Sequence, residues 1–508
     1  MSSTPDAASR GSVRAPHGPR GLATRRRARA TRRFYLLTLA STVVPGLGLI
    51  GSRRRTGLVL LGGFVALVVG LVAYGMTRGF ADSAIEIGVS RRALLWLIPL
   101  LLVVAGGWVY GIVRTARDNL PAGSSGTPRI AMLTFTALAC VLVVAPAAQA
   151  ARYAVIQRSV LATVFPSLAP DDATTPGGGA DPWAETERVN VLLVGSDAGP
   201  DRDGIRPDSV MVASVDTQTG DTVLFGIPRN LQNVPFSEDN PLHEQYPDGF
   251  DCGDTCLMEH VWTLGSENEE LFDGDPNPGL TVTKDAVGEV LGLDIDYTTV
   301  IDLRGFQSLV DAMGGVEIDV QERVCVGCSI NSGGVVVGTT DYIEPGVQRL
   351  NGYYALWYSR SRAESTDGDF SRMRRQRCMV GALLGQVNPV NMLARYPELA
   401  DVLKKNVSVD IPQQDLDEWA ILVQRIQSDG SIKSLPLTNK NIDVNRPDYR
   451  QIHQMVQRAI DPPEPTKQPE PSSSPTSSPT SAPTPTRTPG STPSATPRDE
   501  LSDLSATC

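Results

Sequence analysis

The sequence predicts an α/β domain, with a sheet between helical layers, standing behind a helical transmembrane region. Three observations predict it. Four apolar runs crowd the first 150 residues, strand-length apolar runs mix with helix-period segments from about residue 185, and a stretch of Pro, Ser and Thr closes the chain.

The chain has 508 residues and a net charge of −10, but residues 1–33 carry nine arginines against one acid, Asp6. A basic arm beside apolar segments is a topology signal. With no helix-turn-helix pattern, it is also too little to read DNA bases, so no nucleic-acid partner is expected. The apolar runs cover about residues 34–50, 57–76, 93–113 and 130–149. Each of the last three has the roughly 20 residues that cross about 30 Å of hydrocarbon at about 1.5 Å per residue. The run at 34–50 contains Pro45, Gly46 and Gly48 and is followed by Arg53, Arg54 and Arg55. A span there would leave that triplet outside, so the segment reads as re-entrant or interfacial. Three spans from an inside N-terminus place the rest of the chain outside the cytoplasm. The expected organisation is a basic cytoplasmic arm (1–33), a membrane region (34–150), a linker (151–184), an extracytoplasmic domain (185–461) and a disordered tail (462–508), whose composition cannot bury enough apolar surface to fold.

Within the domain, residues 189–194, 209–215 and 222–227 are strand-length apolar runs, the last two joined across the turn TQTGD. Residues 304–313 show helical spacing, stop at Gly314 and Gly315, and lead into a strand at 316–320; residues 369–387 read as a further helix rich in arginine. Cys252 with Cys256 and Cys325 with Cys328 are close pairs in Gly-rich and acidic sequence. In an oxidising compartment they read as disulfides, with zinc ligation the alternative.

Two carboxylates stand at strand ends, Asp197 in NVLLVGSD and Asp208 in RPDS. On neighbouring strands both reach one sheet edge, and a pair of hard oxygen ligands completed by water and phosphate is how magnesium is held; the plain alternative is two turn residues. Arginine is the second theme, at Arg206, Arg229, Arg360 and Arg362, and at Arg372, Arg374, Arg375 and Arg377 in the helix after DGDF. Helical spacing puts Arg372 and Arg375 on one face with Gln376 beside them. Guanidinium forks suit phosphate oxygens, whereas a solvated helix face is the bland reading of the same run.

The stretches NVLLVGSD, RPDSVMVASVD, IPRN, GLDIDYTTVIDLRGFQSLVDAMGGVEIDV, LNGYYALWYSRSR and DGDFSRMRRQ, in this order, resemble the LytR-CpsA-Psr family of cell-wall enzymes across about residues 189–384. The resemblance implies an α/β/α sandwich with a mixed central sheet and a long apolar pocket for a polyprenyl chain. It also implies transfer of a glycopolymer from a polyprenyl pyrophosphate carrier to peptidoglycan, by a membrane phosphotransferase using Mg2+ or Mn2+. The residues it implicates are Asp197 and Asp208 for the metal, Arg206, Asp208 and Arg229 for catalysis, and Arg206, Arg229, Arg360, Arg362, Arg372, Arg375 and Gln376 for the pyrophosphate. Hydrolysis of the same lipid carrier is one alternative, and membrane-bound transcriptional regulation, a label long attached to this family, is another. Three departures stand out: Asn230 where the family carries Asp, Pro207 where it carries Ser or Thr, and CLMEHVWTL in place of a lysine-containing segment.

Overall fold

A computed structural model describes residues 19–79, 83, 87–122, 125–166, 176–177, 181–197, 205–253, 255–365, 367–386, 395–428, 430–462 and 501–503. The start of the expected arm, residues 167–175 and 178–180 of the expected linker and nearly all of the expected tail lie outside the described residues, while residues 151–164 of that linker belong to a helix, Thr127–Val164. The chain divides into two units, at residues 158 and 159.

The first unit is helical. Helix α1 (Pro19–Val43) takes in the arginine-rich arm, and a turn at Gly46, whose φ of 86° suits glycine, leads through a 3-10 turn (Leu47–Leu49) into α2 (Arg54–Arg78). Helices α3 (Arg91–Asp118) and α4 (Thr127–Val164) follow. Among the described residues, three helices, at Arg54–Thr77, Arg91–Asp118 and Thr127–Val164, are long and apolar enough to cross a membrane. The turn after α1 is held by polar contacts: Ser41 Oγ lies 2.9 Å from Thr115 Oγ1 and accepts the Gly48 amide at 3.0 Å.

The second unit is a mixed-sheet α/β fold. Its strands are β1 (Arg188–Ser196), β2 (Pro207–Asp216), β3 (Thr222–Ile227), β4 (Tyr297–Asp302), β5 (Val316–Val320), β6 (Val324–Val326), β7 (Ser329–Ile330), β8 (Val336–Val337), β9 (Asp341–Ile343), β10 (Gly346–Leu350), β11 (Val407–Val409), β12 (Ile432–Pro436) and β13 (Ser502–Asp503). The main sheet runs β11-β4-β1-β2-β3-β12-β13. β1 is antiparallel to β2 and parallel to β4, while β3 is antiparallel to β2 and parallel to β12.

Side chains alternate across this sheet, as a pleated strand requires. Leu192 and Val194 join a core with Val261 and Trp262 of α5 (Val261–Glu267), Val282 and Val287 of α6 (Pro278–Leu291) and the C-terminal helix Tyr449–Ile460. Leu193 and Met211 instead face a cavity roofed by α7 (Leu303–Met313), α8 (Gly352–Arg360) and α9 (Asp369–Gly385). Trp183, within the stretch expected to be linker, is fully buried edge-on to Trp419 of the helix Leu416–Ser428, and its Nε1 donates to the Glu418 carbonyl.

Caps fix the helices that frame the cavity. Asp302 Oδ1 accepts the Gly305 amide at 2.6 Å to start α7, which ends at Gly314 and Gly315, both with positive φ. Asn351 Oδ1 accepts the Tyr354 amide to start α8. Each cysteine pair closes as a disulfide, Cys252 with Cys256 and Cys325 with Cys328, and among the described residues no group of three or more His, Cys, Asp or Glu is arranged for a metal. The zinc alternative therefore falls.

Candidate active site

The strand ends that carry Asp197 and Asp208 are adjacent, because Ser196 pairs with Pro207 and Gly195 with Ser209. That register skips Asp208, so Asp208 is the extra residue of a β-bulge. Bulges re-aim one side chain while leaving the ladder on either side intact, and they recur beside active sites. Pro207, with no amide hydrogen to offer, sits at the first position of β2, where a strand tolerates it. Asp197 is buried and reaches back to its own loop: its amide donates to the Arg206 carbonyl at 3.1 Å and its Oδ1 accepts the Arg206 amide at 3.2 Å. The Arg206 side chain is exposed at this end of the sheet.

Asp208 is the hub of an ion network. Its Oδ1 accepts Arg229 Nη1 at 3.0 Å and Arg372 Nη1 at 3.3 Å. Arg229, which follows β3, also donates to Glu259 at 2.8 Å and to Asp369 at 3.2 Å. Arg372 holds Asp369 through Nη2 at 3.1 Å, and the half-exposed Arg362 lies 4.0 Å from the same carboxylate. Three carboxylates thus share two largely buried guanidinium groups.

The two arginines are not equally served. Burial disfavours the charge on Arg229, but Asp369, Glu259 and Asp208 together outweigh it and its pKa is raised. Burial pushes Arg372 down, and the neighbouring Arg229 adds to the push against Asp369 and Asp208. Arginine keeps its proton in either case, so Arg372 stays a buried cation less fully compensated than Arg229. Arg372 Nε, a donor, and Asn230 Oδ1, an acceptor, are buried without a hydrogen-bond partner among the described residues. Native interiors satisfy nearly all such atoms, and an orphan beside a charged cluster is where a ligand is to be sought.

Arg360 and Gln376 line the cavity, as does Asp208, so the cavity and the ion network share a wall. The cavity encloses about 250 Å³ and is otherwise mostly apolar, with Leu193, Met211, Ile301, Phe306 and Leu383 among its lining residues. Arg375 goes elsewhere. It donates to the carbonyls of Tyr358 and Ser361 at the end of α8 and pairs with Glu322 at 2.8 Å, so it braces the loop bearing Arg360 and Arg362 and is not brought to the Asp208 cluster. Three helical positions turn through about 300°, which leaves the side chain about 60° away from that of Arg372. Sequence reasoning missed Glu259. It enters because the Met258–His260 turn is zipped to the strand end, with the Glu259 amide on the Arg229 carbonyl and the Met258 amide on the Leu231 carbonyl, both at 2.9 Å.

A profile of the LytR_cpsA_psr family matches residues 166–461, more than half of the chain. The chain belongs to that family. Among curated members, it is similar to the polyisoprenyl-teichoic acid–peptidoglycan teichoic acid transferase TagU of Oceanobacillus iheyensis, with 26% identity over 47% of this chain and 63% of TagU. It is also similar to the cell wall biosynthesis protein LcpA of Corynebacterium glutamicum, with 27% identity over 58% of this chain and 60% of LcpA. The chain therefore spans less than two thirds of the length of either relative. Among solved structures, protein gbs0355 from Streptococcus agalactiae aligns over 55% of this chain and 89% of its own, at 19% identity and a TM-score of 0.41. The family match takes in Asp197, Asp208, Arg229, Asn230, Glu259, Arg372 and the cavity wall.

Proposed function

We propose that this LytR_cpsA_psr member transfers a glycopolymer from a polyprenyl pyrophosphate carrier to peptidoglycan on the outer side of the cell membrane, leaving a phosphodiester link. The observation that carries this reading is the shared wall: an apolar cavity in direct continuity with buried guanidinium groups is the shape of a lipid diphosphate. The apolar side chains take the polyprenyl tail, and Arg360, Gln376 and Arg372 take the phosphates, with Arg206 and Arg362 at the exposed side. Both disulfides suit an oxidising compartment. The transferase names of relatives such as TagU support the reaction class.

Asp197 and Asp208 would hold the Mg2+ or Mn2+ that such a head group brings. Their strand ends are adjacent, and a pair of carboxylates fits an ion that keeps waters and takes its remaining ligands from phosphate. The metal would neutralise charge on the phosphate oxygens. A peptidoglycan hydroxyl oxygen attacks the glycan-side phosphorus, and the phosphorus–oxygen bond to polyprenyl phosphate breaks. The hydroxyl proton passes to a carboxylate of the Asp208, Glu259 and Asp369 cluster. Fixed arginines hold the phosphates in place throughout, which is where most of the acceleration of phosphoryl transfer lies.

The test is transfer by the full-length chain in membranes, from a polyprenyl pyrophosphate oligosaccharide to peptidoglycan. Wall-bound glycan phosphate that disappears in Asp208→Asn supports the proposal. Free glycan phosphate as the sole product would mean hydrolysis, and unchanged transfer by Asp208→Asn would refute the assigned site.

A further inference from the structure

Residues 324–340, VCVGCSINSGGVVVGTT, hold no charged side chain, in a chain that is 20% charged. They fold as a ribbon, with β6 paired to β9 and, beyond it, β7 paired to β8. The ribbon is ordered to its tip, since Asn331 Oδ1 accepts the amides of Gly333 at 3.0 Å and Val335 at 2.9 Å. Val336 folds inward against the Cys325–Cys328 disulfide and Ala363. Val335 and Val337, which flank it on the strand, lie on the other face at 59% and 41% exposure, while Ile330, paired with Val336 across the ribbon, is still 54% exposed. Apolar side chains gathered at a tip held out in water make a candidate binding surface.

Its base is different in character. The Arg323 guanidinium lies 3.5 Å from the centre of the Tyr342 ring and pairs with Glu344 at 3.0 Å. Tyr342 Oη donates to Glu364, and Asp341 accepts from Tyr354 Oη at 2.7 Å, so each of these acids has a partner. Tyrosine with a flexible arginine, below an apolar tip, is the pattern of side chains that sit at head-group depth. The ribbon rests on the loop of the phosphate-binding arginines: Cys328 Sγ lies 3.6 Å from the hydroxyl of Ser361, between Arg360 and Arg362.

We propose that this ribbon docks on a lipid bilayer, its three apolar side chains entering the interfacial layer and holding the Arg360–Arg362 loop at the depth of a membrane-borne diphosphate. A bilayer is the occupant the observations favour. The same chain carries three helices long and apolar enough to cross one, and the tip offers a charged protein surface nothing to pair with. The link to the diphosphate rests on the function proposed above; the docking does not.

The experiment uses the full-length chain in vesicles of zwitterionic phosphatidylcholine, with and without brominated acyl chains. The emission added by V335W should be largely lost to bromolipid and unaffected by salt, while that added by V423W, at an exposed valine of the Leu416–Ser428 helix, should not. Emission from V335W untouched by bromolipid overturns the docking. A V335W blue shift that follows protein concentration and ignores bromolipid overturns it in favour of a second copy. In the triple variant I330S/V335S/V337S, transfer from a vesicle-embedded donor should fall about tenfold, as roughly 1.4 kcal/mol of lost positioning would give, with a short-chain soluble donor used as before. Quenching without that fall would keep the docking and overturn its link to the donor.

Discussion

Arg372 reaches Asp208 at 3.3 Å across 164 positions of sequence, while its second nitrogen holds Asp369 at 3.1 Å one turn back on its own helix. The guanidinium thus ties a sheet bulge to a helix start. Arg372→Ala leaves Asp208 to Arg229, and Asp369 to Arg229 and the half-exposed Arg362, and removing one member of so buried a set costs about 3–5 kcal/mol. Thermal unfolding in detergent should show the loss, and transfer should fall by about 10² to 10³. Arg372→Lys keeps the charge but cannot bridge both acids, so it should unfold later than Arg372→Ala and still lose most activity.

Leu356 lines the cavity opposite the sheet. Leu356→Trp fills part of that volume from a rigid helix. Donors with a long polyprenyl chain should then be used about tenfold less well, whereas a donor with a short chain should keep its rate, since a blocked tail site of about 1.4 kcal/mol touches only the longer substrate. Equal loss for both lengths would place the tail elsewhere.

Gly352 opens α8 against α7. A Cβ at this position would stand 2.0 Å from the Gln307 carbonyl oxygen and 2.7 Å from Asp311 Oδ2. Main chain cannot yield as a flexible side chain does, so Gly352→Ala should lower stability by about 1–3 kcal/mol or more. Because α8 ends at Arg360, activity should fall along with the midpoint of unfolding.

Asp410 accepts the Thr298 amide at 2.6 Å and the Thr298 hydroxyl at 2.8 Å, beside the edge of the main sheet. Burial raises its pKa from 3.8, against these hydrogen bonds and Lys284. A raised folded value means that Asp410 contributes fully below about pH 3.8 and that this contribution is lost as pH rises through the folded pKa. Asp410→Asn keeps a hydrogen-bonding group without the charge. Its melting temperature relative to the parent should therefore climb between pH 3.5 and pH 7; a difference independent of pH would show that Asp410 titrates alike folded and unfolded.

Much of this fold is legible in the sequence where pattern is local. The apolar runs at 222–227 and 316–320 are β3 and β5 residue for residue, and the helix expected at 304–313 begins one residue earlier, at the Asp302 cap. The strand β4 carries Thr298 and Thr299 between Tyr297 and Val300, and its polar centre hides it from a search for apolar runs. At the site, Asp208, Arg229 and Arg372 are brought together as expected. Glu259 was invisible because nothing within MEHVW marks a site; only its main-chain pairing with residues 229–231 brings it there. Arg375 looked like a partner of Arg372 because spacing alone cannot tell which helix ends a side chain will meet.

The bulge at Asp208 sets a rule for how this chain can change length. Losing Asp208, the one residue between Pro207 and Ser209, would restore a regular ladder and take the carboxylate out of the ion network. Homologous chains should therefore hold fixed the count of residues from Arg206 to Ser209, a pattern that a simple comparison of lengths can check.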